Sequence, residues 1–90
     1  MKTVDEVKEY LCEHGYEGTI VFENPGYAEA FVGVSEDGRA VYDFEKMVVS
    51  LQEEDGMEEM DAIEFIEYNT IRAIPYIGHG APVVFYPVME

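Results

Sequence analysis

Eight of the chain's twenty carboxylates fall between residues 53 and 67, and no lysine or arginine stands among them. Carboxylates at that density can act as a general acid and base, hold a cation, or engage cationic side chains that otherwise meet phosphates. The spacing weighs against the first two. A catalytic pair needs surroundings that push its two pKa values apart, and no apolar setting marks out such a pair here. The run Glu53-Glu54-Asp55-Gly56 lacks the alternating oxygen ligands of a calcium loop. The third use fits better. Glu58, Asp61, Glu64 and Glu67 recur every third residue. On a helix that is a rise of about 4.5 Å per step, comparable with the ~3.4 Å phosphate spacing along one DNA strand.

Other reactive side chains are scattered. Cys12 and His14 lie two apart on a predicted helix, so their side chains diverge. His79 sits in a G-H-G loop, and Gly78-x-Gly80 lacks the rest of any phosphate-loop pattern. Two histidines and one cysteine do not make a zinc site at these spacings. No catalytic residue, metal ligand or cofactor is expected, and an enzyme is the third reading behind two non-catalytic ones.

Composition sets the partner class. Five basic against twenty acidic side chains give a formal charge of −15, which repels nucleic acid and anionic membranes and favours basic protein surfaces. The plainer role of such charge is solubility. A 48% hydrophobic content with seven Tyr and five Phe supplies a core, so the chain is expected to fold as one domain, 1–90. The lone Cys12 excludes an internal disulfide framework. The start M-K-T-V-D-E-V has no apolar signal region, and no apolar run approaches the ~20 residues of a membrane span. A cytoplasmic location is the expectation.

The elements that must position the acids follow from capping, periodicity and turn chemistry. Thr3 and Glu6 form a capping box for a first helix with Val4, Val7, Tyr10 and Leu11 on one arc, closed at His14-Gly15. Asp5, Glu9 and Glu13 line its other side. Residues 19–23 (T-I-V-F-E) read as a strand. Asn24-Pro25-Gly26-Tyr27 reads as a type II turn, and residues 27–35 as a second strand with Ala30, Val32 and Val34 on one face. Asp37-Gly38 marks a hairpin into a third strand, 39–43. Asp43 caps a second helix with Phe44, Met47, Val48 and Leu51 inward, broken at Gly56. A third helix spans about 57–73, with Pro75 fixing its exit, and residues 82–88 form a last strand beside the first or the third. The order is α-β-β-β-α-α-β: an α+β fold with a four-stranded, mostly antiparallel sheet and helices on one face.

The third helix has a period of three where an α-helix has 3.6, so every row drifts by about −60° per step. The acidic row therefore winds between an apolar row of Met57, Met60, Ile63 and Ile66 and another of Ala62, Phe65, Tyr68 and Ile71. One reading makes the helix structural, with Ala62, Ile63, Ile66 and Ala73 on the sheet. The other leaves the Phe65–Tyr68 side exposed beside the acids, as a surface for a basic partner or a second copy of the chain. The candidate partner-binding residues are Glu53, Glu54, Asp55, Glu58, Glu59, Asp61, Phe65 and Tyr68.

The segments A-V-Y-D-F-E-K-M (40–47), E-D-G-M around Gly56 and E-Y-N-T-I-R-A-I-P-Y (67–76) resemble a group of short uncharacterised proteins of gut Firmicutes and their prophages, over roughly residues 27–86. That resemblance carries no activity or binding residues; it implies a phage or mobile-element setting and favours a host-directed inhibitor or accessory role. The leading expectation is a non-catalytic acidic protein-binding module, in its most specific form an inhibitor that mimics nucleic acid towards a nucleic-acid-binding protein. The alternative is a homo-oligomeric accessory domain, such as a homodimer, whose acidity serves solubility.

Overall fold

Capping chemistry places the first helix, α1 (Val4–Glu13), in a computed structural model that describes residues 1–88. Thr3 Oγ1 accepts from the Glu6 N–H at 3.1 Å and the Glu6 carboxylate accepts from the Thr3 N–H at 3.0 Å. The Lys2 and Thr3 amides together hold the Glu6 carboxyl below its ordinary range, Lys2 contributing most. Val7 and Leu11 are buried. Lys8 leaves the acids of its own helix and pairs with Glu23 at 3.0 Å.

The sheet has three strands in the order β1 (Phe31–Val34), β2 (Ala40–Asp43), β3 (Val83–Phe85). β1 and β2 are antiparallel, but β3 lies parallel to β2, so the sheet is mixed. The α+β class holds. The expectation of four mostly antiparallel strands does not, because residues 19–23 join no ladder among the described residues. Within the segment, adjacent Val21 and Phe22 are both buried, which breaks the alternation a half-buried strand needs. The Phe22 N–H is donated instead to the Tyr42 hydroxyl at 3.2 Å.

The turn that follows also differs from the type II expectation. The Asn24–Pro25 peptide is cis, and positive φ falls on Tyr27 at 49° rather than on Gly26. Gly26 is needed for room: a Cβ there would overlap Val4 Cγ2 of α1. Gly26→Ala should destabilise the fold by about 1–3 kcal/mol, the usual range for overpacking. Val4→Ala should recover part of that loss in urea titrations; an equal loss in both backgrounds would refute the contact.

A bulge divides the first hairpin strand between the two sheet faces. Phe31 opposes Tyr42 and Gly33 opposes Val41, leaving Val32 as the extra residue. Phe31 is therefore buried while Val32 is 45% exposed. Ala30 lies outside the strand, in a 3₁₀ turn (Ala28–Ala30). The expected common face of Ala30, Val32 and Val34 is not formed. Phe31, Val34, Ala40, Tyr42 and Val84 join the core with the helices, whereas Val32, Val41, Val83 and Phe85 on the other face take no part in it.

Asp43 accepts from the Lys46 N–H at 3.2 Å and opens α2 (Phe44–Asp55), whose Phe44, Met47, Val48 and Leu51 are all buried as the periodicity predicts. Gly56 ends it with φ 68°, a left-handed conformation that suits glycine. The third helical body begins as α3 (Glu59–Phe65) and continues unbroken. It passes through a π-turn (Ile66–Thr70) and a 3₁₀ turn (Ile71–Ala73) into α4 (Ile74–Ile77). Pro75 does not fix the exit. It lies in the first turn of α4, directly after the 3₁₀ turn, and the helical body runs on past it to Ile77. Buried Ala62, Ile66 and Thr70 and half-buried Ile74 form a stripe spaced by four. In a pure α-helix that stripe would drift by about 40° per step, and the wider π-turn offsets the drift. Ala73 is exposed, contrary to expectation.

Candidate partner-binding surface

The two helices bearing the acids meet at a short elbow. Glu53, Glu54 and Asp55 occupy the last turn of α2, Glu58 is the N-cap of α3, and Glu59 and Asp61 lie in its first turn. All six are exposed. The ion pairs among the described residues are Lys8–Glu23 and Arg39–Asp37, so none of the six is neutralised by a salt bridge there. Glu54 accepts a hydrogen bond from the Ser50 hydroxyl at 2.5 Å.

The macrodipole makes the two halves of this elbow unequal. Glu59 and Asp61 stand at the positive end of α3, a favourable position. Glu53, Glu54 and Asp55 crowd the negative end of α2, whose last turn holds no basic residue. Each misplaced charge costs about 0.3–1 kcal/mol at low ionic strength. The C-terminal dipole end and three carboxylates therefore reinforce one another and concentrate negative potential at the elbow.

Phe65 and Tyr68 divide between the two roles considered for them. Phe65 is half-buried and packs on the core. Tyr68 is 69% exposed, but it belongs to a separate cluster with Glu64, Glu67 and Arg72. The Arg72 guanidinium lies 4.7 Å from the Tyr68 ring centroid. The structure thus brings the six elbow carboxylates together and leaves the aromatic pair aside.

The apolar surface next to the elbow comes from other residues. A groove of about 550 Å³ runs between α2 and α3, lined by Phe44, Glu45, Val48, Val49, Gln52, Glu59, Ile63, Tyr86 and Pro87. The Tyr86 ring stacks on Phe44 with centroids 4.5 Å apart. Its hydroxyl pKa is raised by partial burial and then by the Glu67 carboxylate, so it stays a hydrogen-bond donor. The signal in the sequence was the Val48-Val49 pair: two adjacent apolar residues make an arc wider than the inward stripe, and Val49 is left 47% exposed.

The scattered reactive groups do not converge. The Cys12 thiol donates to the Glu17 carboxylate at 3.6 Å, which raises its pKa and holds it as the poorly nucleophilic thiol. His14 donates from Nδ1 to the Tyr10 carbonyl at 2.8 Å and stacks on that ring. His79 lies in the loop beside Asp37 and Arg39, remote in the chain from both. Among the described residues no group of three or more His, Cys, Asp or Glu is placed to hold a metal ion, and no helix is long and apolar enough to cross a membrane. Comparison of the chain with protein-family models, with curated proteins and with solved structures finds no match in any of the three.

Proposed function

We propose that the chain is a small non-catalytic binding module whose acidic elbow engages a basic surface of another protein. The observation that carries this reading is the crowding of Glu53, Glu54 and Asp55 at the negative end of α2. There the helix dipole disfavours them, and none of the three has an ion-pair partner among the described residues. Local conflicts of that kind are expected where a surface serves binding rather than stability. The specific form is an inhibitor that occupies a nucleic-acid-binding surface, and the prophage-like resemblance favours it.

The double variant Glu53→Lys, Asp55→Lys separates binding from solubility. It should stabilise the fold by about 1 kcal/mol, raising Tm by roughly 4–8 °C. It should also weaken capture of a basic partner roughly tenfold or more. Wild-type capture should fall steeply between about 50 and 200 mM salt and be competed by DNA or RNA if the partner binds nucleic acid. Capture indifferent to both the variant and salt would overturn the reading.

The second reading is a homo-oligomeric accessory domain, and one observation favours it. The open sheet face of Val32, Val41, Val83 and Phe85 is apolar in a chain of charge −15. Self-association there would strengthen with added salt, as the repulsion between two acidic copies is screened. The sign of the salt effect therefore decides between the two.

A further inference from the structure

The groove beside the elbow specifies the form of the partner. We propose that it receives the apolar face of a cationic amphipathic helix presented by the partner protein, an inference that rests on the basic-partner reading above. Its floor is buried Phe44 and Val48, and half-exposed Val49, Ile63 and Tyr86 offer side-chain contact. Carboxylates stand at opposite ends: Glu45 in the first turn of α2, and Glu59 beside Gln52 at the elbow. Neither is ion-paired among the described residues. An apolar trough with uncompensated negative ends is complementary to an apolar stripe flanked by lysine or arginine.

The walls select a helix over an extended peptide. A strand docks by pairing its backbone with a sheet edge, but the backbone of α2 and α3 is spent on their own helical bonds. Along its α2 and α3 walls the groove offers only side-chain contacts, and a helix brings its backbone already satisfied. From Phe44 to Gln52 the axial distance is about 12 Å, room for apolar residues at i, i+4 and i+7, which span about 10 Å. The elbow at the Gln52 end then meets the cations of the docked helix.

The test uses two peptides of about 18 residues, one a leucine/lysine amphipathic helix and the other a serine/lysine peptide of equal length and charge. Binding is measured by calorimetry at about 50 mM salt and located by amide chemical shifts. The leucine/lysine helix should bind roughly tenfold tighter than its serine counterpart, with shifts at residues 44–52, 59–63 and 86. Val49→Lys should remove roughly that tenfold advantage. Val32→Lys, the same charge change on the open sheet face, should leave affinity within about twofold. Both positions are exposed, and circular dichroism verifies that both variants fold. If the two peptides bind equally, or the two variants behave alike, the groove inference falls while the acidic elbow stands. If neither peptide binds, the basic-partner reading falls and the groove inference falls with it.

Discussion

Replacing Ile66 by alanine will destabilise the fold by about 2–5 kcal/mol, the range for truncating a fully buried aliphatic side chain. Ile66 is 0% exposed and sits at the start of the π-turn, between Ala62 and Thr70 in the buried stripe. Its neighbours cannot readily close the void. Ala62 has only a methyl group and no rotamer to change, and Thr70 is tied by its hydroxyl to the buried Tyr27 hydroxyl at 2.7 Å. Domains of this size have stabilities of about 5–15 kcal/mol, so the loss is a large share of the total. Urea titration should show a lowered midpoint with an unchanged slope. Ile66→Val should cost only about 0.5–1.5 kcal/mol. Tyr68→Ala, two residues on but 69% exposed, should stay within about 0.5 kcal/mol. A small effect at Ile66, or a large one at Tyr68, would mean that the other face of this helix meets the core.

The contrast between Ile66 and Tyr68 shows where the sequence was legible. The capping box at Thr3 and Glu6, the Asp43 cap, the Phe44–Met47–Val48–Leu51 stripe and the stop at Gly56 all appear where short-range chemistry puts them. Each depends on residues within one turn of one another. The third helical body could not be read that way. Its apolar residues repeat every third position, while the buried line runs every fourth and includes polar Thr70. Thr70 can join that line because a hydroxyl partner waits at Tyr27, 43 residues away. The same holds for residues 19–23, whose β-branched composition reads as strand until Phe22 gives its N–H to the Tyr42 hydroxyl. The bulge at Val32 and the parallel docking of β3 are likewise settled by packing. For the candidate site, the acidic elbow was visible as a charge run. Of its apolar companions only Val49 was signalled, by the Val48-Val49 pair; Ile63 and Tyr86 reach the groove from α3 and from the segment after β3.

Alkaline pH will destabilise the protein through Tyr42. This ring is 0% exposed and packs against Phe22 and Phe31, and its hydroxyl accepts the Phe22 N–H. Burial pushes its pKa up from 10 to about 12; the Phe22 amide opposes the shift and Glu23 adds to it. Ionisation is thus harder in the folded state than in the unfolded one. The stabilisation is fully present below pH 10 and is lost as pH rises through 12. A shift of about two units corresponds to about 2–3 kcal/mol at the far end of that window. Tyr27, raised in the same direction by its own burial, deepens the loss. Urea titrations at stepped pH should therefore show stability falling between pH 10 and 12. Tyrosinate absorbance should reveal Tyr42 titrating above pH 10, or together with unfolding. Tyr42→Phe serves as the control. It leaves the buried Phe22 N–H without its acceptor, costing about 1–3 kcal/mol at neutral pH, but its stability should decline less between pH 10 and 12. The growing negative charge of the chain acts on both proteins alike, so their difference isolates the buried phenol. Parallel pH profiles for the two would show that Tyr42 ionises as freely in the fold as out of it, and would remove it from the core assigned here.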